Sequence, residues 1–409
     1  MYIFKAGVVG AGFMGAEIAQ VISYSGLPVV LKDIDQELLD EGIARIRQIY
    51  QRRVDKGKMD QSTMTEKMDL IQATLTYEGF EDADIVIEAV PERMELKKQV
   101  FKELEEVCPE STILASNTTA LSISEMGAAT NKPHKMIGMH FFSPAHVMKL
   151  VEVVPGLDTN EETIGDVVTF SESLRKIPVV VQECPGFLVN RLLMAYLNEA
   201  ALCLEEGAAT SEEIDAAMVE FGWPMGPFTL MDMIGIDICY QSGRYLAEEY
   251  SERIHAAKIF EKLYQAERFG EKAGAGFYGY GDQTDEPVKE MIKEIQSEPG
   301  AVTGTEFSTD RLMMPLINEA VLCLQEHIAS ASDIDMAAIA GIGMKMGDDR
   351  MGPLAMADRI GLDVVLAKLE EFKKQYGPRF HPARLLRLHV RANHLGEKAG
   401  RGFLEHVGQ

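Results

Sequence analysis

Two residues that could carry out acid/base chemistry, His140 and Glu152, stand on two short apolar segments joined by a proline-containing turn. His140 ends the apolar run 136–139, and Glu152 interrupts the apolar run 150–154. If the two segments pair as neighbouring strands, the carboxylate can hold one ring nitrogen and direct the other towards a substrate. A histidine at a strand end is more often a packing or capping residue. His140 is therefore a candidate general acid/base that needs support from the rest of the chain.

A glycine-rich turn near residue 10 could bind a dinucleotide, or could be a tight turn in another α/β fold. The sequence GAGFMG follows a strand-like run at 3–9 and opens a helical run at 16–25, and an acidic residue follows the strand-like run 28–31. In a Rossmann unit the glycines permit the turn, the approach of a pyrophosphate and close helix–strand packing. The acidic residue binds a ribose 2′-hydroxyl and repels a 2′-phosphate, which favours NAD over NADP. The residues that this pattern assigns to the cofactor are Gly10, Gly12, Phe13, Met14, Gly15 and Asp33.

The segments around these residues alternate between strand-like and helical runs, which predicts an α/β domain. Ligands bind to an open parallel sheet at the edge formed by the carboxyl ends of its strands. Residues 88–93 and 116–119 follow strand-like runs, so we expect them at that edge. The strand-like runs are 3–9, 28–31, 71–76, 84–90, 112–115 and 178–181, and the helical runs are 16–25, 36–56, 94–108 and 161–174.

Composition limits the class of protein and of partner. The chain has 409 residues, of which 46% are hydrophobic and 25% charged, as in a soluble globular protein of two or three domains. A formal net charge of −24 argues against a nucleic-acid partner and against binding to an anionic membrane. An anionic ligand would need a local basic patch, and the end of the helical run 36–56 offers one, although cations also suit any helix C-terminus. This patch consists of Arg52, Arg53, Lys56 and Lys58.

Missing patterns set further expectations. No apolar run approaches the length of a membrane span and no secretory signal is visible, so we expect a cytoplasmic protein. The nine histidines form no HxH or HExxH pattern, which predicts no metal site. The cysteines are odd in number and form no CxxC pair, which indicates reduced packing residues. They are Cys108, Cys184, Cys203, Cys239 and Cys323.

The second half of the chain contains an internal repeat. The motif NRLLMAYLNEA at Asn190 recurs as DRLMMPLINEA at Asp310, an offset of 120 residues. The motif MGP recurs from Met225 to Met351 at an offset of 126, so the second copy carries a six-residue insertion within 341–351. The chain is thus predicted to be an α/β Rossmann-type dinucleotide-binding domain followed by two tandem all-α helical domains. The predicted boundaries are 1–184 for the NAD-binding domain, 185–281 for the first helical copy, 282–306 for an acidic linker and 307–409 for the second copy.

Taken together, these motifs resemble the 3-hydroxyacyl-CoA dehydrogenases, particularly the bacterial 3-hydroxybutyryl-CoA type. The resemblance rests on GAGFMGAEIAQ, EAVPERMELKKQVF, ILASNTT, GMHFFSP, MKLVEVV, PGFLVNR and GWPMGPF, which occur in this order within residues 1–281. The second helical copy resembles the same C-terminal domain again. The family implies NAD-dependent interconversion of an L-3-hydroxyacyl-CoA and a 3-ketoacyl-CoA, in fatty acid beta-oxidation or butanoate metabolism.

The resemblance implies roles for individual residues. His140 is similar to the family's catalytic base and Glu152 to its partner carboxylate. Ser116 matches a serine that contacts the substrate near the nicotinamide, and Asn190 matches a substrate-orienting asparagine. Lys56 matches a lysine that meets the CoA moiety. Without the family, Asn190 would be interpreted as a polar helix residue exposed to water.

Other matches concern the cofactor and the second copy. Glu92 and Lys97 match cofactor-side positions, although Lys97 alone would be interpreted as a surface lysine. Ser143 replaces an asparagine of the usual HFFNP sequence that helps to arrange the site. The second copy has Asp310 at the position of Asn190 and no second Rossmann domain, so it is predicted to be non-catalytic. We expect it to pack on the first copy as an internal pseudo-dimer, in a monomer or a weak homo-oligomer.

Two other functions stay open at this point. One is an NAD-dependent dehydrogenase that acts on a 3-hydroxy acid without CoA, against which the basic patch around Lys56 argues. The other is a non-catalytic NAD-binding protein. The presence of His140, Glu152, Ser116 and Asn190 together argues against that second alternative.

Overall fold

An eight-stranded sheet forms the centre of the first of two units into which the chain divides, Met1–Phe187 and Leu188–Gln409. The structure is a computed structural model that describes residues 2–250 and 253–406. The strands are β1 (Ala6–Val9), β2 (Val29–Lys32), β3 (Ile71–Thr74), β4 (Ile85–Glu88), β5 (Ile113–Ser116), β6 (Met136–Phe141), β7 (Leu150–Pro155) and β8 (Ile177–Val180).

The strands follow the spatial order β3-β2-β1-β4-β5-β6-β7-β8, of which the first six reproduce the order of a Rossmann sheet. Strands β1 to β6 run parallel, whereas β7 runs antiparallel to β6. The connection 142–149 is too short for the crossover of a dozen or more residues that a parallel return would need. Strands β1, β2, β4 and β5 are buried along their whole length, which explains why their sequences are continuous rather than alternating apolar runs.

Four helices of the first unit lie close to the predicted helical runs, and two further helices, α3 (Gln61–Asp69) and α5 (Ile123–Gly127), lie outside those runs. Helix α1 starts at Phe13 rather than at residue 16, because the glycine turn itself leads into the helix and Gly12 is its N-cap. Helix α3 is not predicted by the hydrophobic pattern; the Asp60 carboxylate caps it by accepting a hydrogen bond of 2.7 Å from the Thr63 amide. The helices are α1 (Phe13–Ser25), α2 (Gln36–Asp55), α3 (Gln61–Asp69), α4 (Met94–Val107), α5 (Ile123–Gly127) and α6 (Glu161–Ser173).

The second unit contains two helical copies, and the second copy also carries a small hairpin. Strands β9 (Lys345–Met346) and β10 (Asp349–Arg350) pair antiparallel within the region where the insertion is predicted. The second copy is therefore not purely helical. The first copy contains α7 (Val189–Glu205), α8 (Ser211–Phe221), α9 (Pro227–Ile234), α10 (Ile236–Tyr250) and α11 (Ile259–Gln265), and the second contains α13 (Thr309–Gln325), α14 (Ala331–Ile342), α15 (Pro353–Ile360), α16 (Leu362–Tyr376) and α17 (Arg384–Arg391).

The predicted linker between the copies contains an amphipathic helix, α12 (Glu286–Ser297). Its apolar residues Val288 and Ile295 are buried. The helix is also tied to the first copy by polar contacts: Lys262 Nζ lies 2.9 Å from Glu294, and Gln296 Nε2 donates to a backbone carbonyl of α7. The acidic residues that suggested a linker therefore belong to the solvent-exposed face of a helix that packs on the first copy.

Helices α7 and α13 pack against each other and carry ion pairs that the internal repeat relates. Arg191 of α7 contacts Glu319 at 2.5 Å, and the corresponding residue of α13, Arg311, contacts Glu199 at 2.8 Å. Arg311 also lies 2.5 Å from Glu206 and is fully buried. The predicted packing of the second copy on the first is therefore present, and each copy supplies both the acid and the base of this contact.

Candidate functional site

The glycine turn has the geometry that a dinucleotide fingerprint requires. Gly10 has a φ of +102°, and a Cβ there would lie 2.7 Å from the Ala89 carbonyl oxygen. A Cβ at Gly15 would lie 1.8 Å from the Gly10 oxygen, so only glycine permits this closeness of strand and helix. A Cβ at Gly12 would meet no atom within 4 Å. The amide groups at the start of α1 are thus open to an anionic group, as pyrophosphate binding needs.

The two apolar residues of the fingerprint are not core residues. Phe13 is 47% exposed, and the Arg45 guanidinium lies 4.4 Å from the centre of its ring. Met14 is half-buried and packs against the core of the sheet. Phe13 therefore contributes a partly open apolar surface beside the turn, whereas Met14 anchors the first turn of α1.

Asp33 lies directly after β2, beside the glycine turn. One carboxylate oxygen accepts a hydrogen bond of 2.6 Å from the Ala11 amide, and the other accepts one of 2.7 Å from the Ile34 amide. The side chain is half-buried, so these bonds fix its position while lone pairs still face outwards. This is the position from which a carboxylate can accept hydrogen bonds from ribose hydroxyls.

Asp33→Asn is expected to lower the preference for NADH over NADPH by about tenfold or more. Removing the carboxylate charge weakens a charge-assisted hydrogen bond to the ribose and abolishes the repulsion of a 2′-phosphate. Fluorescence titration of both cofactors measures the two dissociation constants. Asp40→Asn, which changes an exposed carboxylate on α2, is the matched control. A ratio equal to that of the unchanged protein would exclude Asp33 from cofactor selection.

A buried polar cluster lies at the carboxyl ends of β4 and β5. The Lys97 ammonium, 1% exposed, lies 2.7 Å from Glu88 and 3.2 Å from Glu92. The Ser116 hydroxyl donates a hydrogen bond of 2.6 Å to the other oxygen of Glu88. Burial raises the pKa of the Glu88 carboxyl, and the Lys97 ammonium opposes that shift. Lys97 is therefore a structural centre of this edge rather than a surface lysine.

Glu88 was not predicted as an individual site residue, although it begins the range 88–93 that was expected at this edge. The signal was available, because Glu88 ends the apolar strand Ile85–Glu88 in the same way that Glu152 interrupts β7. A charged residue inside a fully buried strand needs a partner or a function. Glu92, at 43% exposure, accepts hydrogen bonds from the Thr118 hydroxyl and the Thr119 amide and so joins the loops after β4 and β5.

The prediction that His140 and Glu152 stand on paired strands is confirmed. The two residues are direct partners in the antiparallel ladder of β6 and β7, and His140 Nδ1 lies 2.7 Å from Glu152 Oε2. The side chains are 7% and 0% exposed. Because an ionised carboxylate only accepts, Nδ1 carries the proton and Nε2 has a free lone pair in neutral histidine. The rings of Phe142 and Phe187 lie 4.5 and 5.9 Å from the imidazole and limit its movement.

The connection between β6 and β7 is stabilised by a second buried cation, Lys176. Lys176 Nζ donates hydrogen bonds to the carbonyl oxygens of Ala145 and Met148, the second at 2.7 Å. Burial, reinforced by the nearby Lys149 charge, lowers the pKa of Lys176 to about 8. Ser143 in the same connection is exposed. This connection therefore has a fixed backbone and an accessible Ser143 side chain.

The remaining predicted residues lie outside this cluster. Lys56 is exposed at the C-terminal end of α2. Its neighbour Arg53 stacks on Tyr24 at 4.6 Å and donates to the tyrosine hydroxyl, so Arg53 is engaged in packing rather than open to a ligand. Asn190 is half-buried in the first turn of α7 and belongs to the second unit. The first unit thus brings together the predicted residues on β5, β6 and β7, together with the glycine turn.

Residues 2–250 and 253–406 contain no cluster of metal ligands, no membrane-spanning helix and no disulfide. No group of three or more histidine, cysteine or acidic side chains in these ranges could hold a metal ion. No helix there is long and apolar enough to cross a bilayer. None of the five cysteines, all of which lie in these ranges, forms a disulfide; four are buried, and Cys184 is half-buried.

Comparison with known proteins gives matches along nearly the whole chain. Residues 5–184 match the NAD binding domain of 3-hydroxyacyl-CoA dehydrogenase, and residues 186–280 and 307–406 each match its C-terminal domain. The crystal structure of 3-hydroxybutyryl-CoA dehydrogenase from Escherichia coli K12 superposes with a TM-score of 0.85 at 29% identity, covering 96% of this chain and 99% of that one.

Curated relatives are longer than this chain. The fatty acid oxidation complex subunit alpha of Psychrobacter arcticus is 39% identical over 381 residues, which are 90% of this chain and 53% of the relative. A peroxisomal fatty acid beta-oxidation multifunctional protein of Arabidopsis thaliana is 37% identical over 396 residues, which are 94% of this chain and 54% of that protein. The chain therefore spans about half the length of these relatives. With both domain types matched over most of its residues, the chain belongs to the 3-hydroxyacyl-CoA dehydrogenase family.

Proposed function

We propose that the protein oxidises an L-3-hydroxyacyl-CoA to the 3-ketoacyl-CoA and catalyses the reverse reduction, with NAD as the hydride carrier. The observation that carries the proposal is the 2.7 Å contact between His140 Nδ1 and Glu152. His140 stands on the strand next to that of Ser116, in the same sheet as the strand that leads into the dinucleotide turn. Dehydrogenation of a secondary alcohol needs a proton acceptor and a hydride acceptor. The imidazole is suited to the first, and bound NAD supplies the second.

His140 is proposed to take the proton of the 3-hydroxyl group on Nε2 while hydride leaves C3. The imidazolium that results carries protons on both ring nitrogens, and the Glu152 carboxylate stabilises it through Nδ1. In the reverse direction Nε2 returns its proton to the developing alkoxide of C3. General acid/base assistance of this kind is worth about 10²- to 10⁴-fold in rate.

Ser116 is proposed to contact the substrate near the nicotinamide. Its hydroxyl proton is directed to Glu88, and its oxygen accepts a hydrogen bond of 3.3 Å from the Thr118 amide, which leaves one lone pair for a further partner. Glu92, Lys97 and Ser143 are proposed to form the cofactor side of the site. Two more assignments rest on the family resemblance: Lys56 as a contact of the CoA moiety, and Asn190 as the residue that orients the substrate.

The decisive experiment follows NADH absorbance in the near ultraviolet after addition of acetoacetyl-CoA to the purified chain. Rapid loss of absorbance with acetoacetyl-CoA and NADH, and not with free acetoacetate or with NADPH, is expected. Equal rates with free acetoacetate would support instead a dehydrogenase of 3-hydroxy acids without CoA. No turnover while NADH still binds would support a non-catalytic NAD-binding protein.

The second helical copy is proposed to replace a partner subunit, so that the protein is a monomer or a weak homo-oligomer. The paired contacts of Arg191 with Glu319 and of Arg311 with Glu199 support this, because each copy meets the other through corresponding residues. Light scattering is expected to give the mass of one chain at micromolar concentration. A dimer that persists at nanomolar concentration would contradict it. The bounds of the three domains and of the linker, and the cytoplasmic location, stay predictions.

A further inference from the structure

A cavity of about 720 Å³ lies between the two helical copies, inside the second unit. Its size falls within the range of about 300–1,000 Å³ that small-ligand pockets occupy. Helices α7 and α10 of the first copy and α13 and α17 of the second supply most of its lining. Among the residues that the structure describes, none of those assigned above to the dehydrogenase site lines it.

The cavity arises where corresponding residues of the two copies differ in size. At an offset of 126 residues, Gly243 of α10 corresponds to Leu369 of α16, and Leu246 corresponds to Phe372. In the second copy Leu369 is fully buried, and Phe372 packs edge to face against Phe380 with ring centroids 5.3 Å apart. The smaller residues of the first copy leave the corresponding space open. The two copies thus differ in side-chain size at two positions, Gly243 and Leu246, that line the cavity.

The lining combines an apolar interior with basic groups where the cavity meets solvent. Apolar side chains from both copies form one part of the lining, here called the interior, and exposed or half-buried basic side chains form another part, here called the opening. The apolar residues are Met194, Ala195, Leu246, Pro315 and Leu322, and the basic residues at the opening are Arg253, His255, His381, Arg384 and Arg387.

Several polar groups of the lining are already satisfied within the protein. Glu319 is neutralised by Arg191 and Arg253. Asn198 and Asn318 each bind one backbone carbonyl and one backbone amide of their own copy. These groups therefore do not need hydrogen bonds or charge compensation from a ligand.

Two arginines of α17 can still bind an anionic group. Arg384 is exposed and forms no ion pair with any residue in the described ranges. Arg387 lies three residues further on the same helix face and contacts Glu370 at 2.6 Å, but its Nε atom is buried without a hydrogen-bond partner among the described residues. An orphaned buried donor of a guanidinium is unfavourable and is relieved by an anionic acceptor.

We infer that this cavity is a second ligand site that binds a medium-chain fatty acid. The carboxylate meets Arg384 and Arg387, and the hydrocarbon chain lies along Met194, Leu246 and Leu322. The charge of the opening selects an anion, and the apolar interior selects a chain over a small hydrophilic anion. This site is additional to the proposed dehydrogenase site and does not depend on its assignment.

Titration calorimetry of the full chain with decanoate tests the inference. We expect saturable binding of one decanoate per chain, and binding of 1-decanol at least about tenfold weaker because it lacks the charge. Gly243→Leu installs the residue that the second copy carries, and its Cβ would approach only the flexible end of Met194, at 3.3 Å. Leucine also favours the helix over glycine, so the variant is expected to fold and to lose decanoate binding. Leu246→Phe fills the same space independently.

The charge of the opening is tested separately. Arg384→Ala is expected to weaken decanoate binding by about tenfold and to leave decanol binding unchanged. Lys374→Ala, at an exposed lysine of α16, is the matched control. The inference is overturned by a wild-type chain that binds no decanoate, by binding that survives in both cavity-filling variants, or by decanol that binds as tightly as decanoate.

Discussion

His140→Gln is expected to lower turnover of acetoacetyl-CoA by about 10²- to 10⁴-fold while NADH binding is retained. Glutamine can still donate a hydrogen bond to Glu152, so the ladder of β6 and β7 is expected to stay intact. It cannot accept and release a proton at the position of Nε2. Steady-state kinetics should therefore show a loss in kcat larger than any change in KM, and fluorescence titration should give an NADH dissociation constant within about twofold of the unchanged protein.

The matched control for this substitution is His134→Gln, which changes an exposed histidine two residues before β6. It should leave kcat and KM unchanged, because the His134 contacts found in the structure use its backbone carbonyl. A His140→Gln variant with the wild-type rate would remove His140 from acid/base catalysis. A variant that also lost NADH binding and thermal stability would show a structural role instead.

Arg311→Leu is expected to destabilise the protein by about 3–5 kcal/mol, the largest effect on stability that we expect of a single substitution outside the site. The guanidinium is fully buried, contacts Glu199 and Glu206 at 2.8 and 2.5 Å, and lies over the ring of Tyr376 at 4.0 Å. Removing it leaves two buried carboxylates that share the remaining cation, Arg379. Uncompensated buried charge is the reason for the large loss.

Urea unfolding followed by the fluorescence of Trp223 measures this change in the free energy of unfolding. Trp223 is the one tryptophan of the sequence and lies in the first helical copy. Arg244→Leu is the control, since Arg244 and its partner Glu248 are 67% and 63% exposed and such pairs contribute about 0–1 kcal/mol. Equal losses in the two variants would show that the buried ion cluster does not hold the copies together.

Local sequence determined the parts of the protein whose cause is local. The glycine turn could be predicted because the need for each glycine arises within a single strand-turn-helix unit. Gly10 has a positive φ, and at Gly15 the helix and the strand approach too closely for a Cβ atom. The pairing of His140 with Glu152 could be predicted because the connection between their strands is short, and a short connection permits only antiparallel pairing. The repeat, and the insertion that became the β9–β10 hairpin, followed from counting residues alone.

Tertiary structure alone decided which charges are buried together. Glu88 and Lys97 form a buried pair on adjacent elements, and Arg311 reaches Glu199 across 112 residues of sequence. Hydrophobic periodicity could not predict these contacts, because a charged residue on an apolar face has the same pattern whether or not a partner arrives from elsewhere. The cavity beside Gly243 depends likewise on the difference between two packed copies. Such features arise from the joint arrangement of distant segments, since burial makes an unpaired charge unfavourable only once the chain has folded.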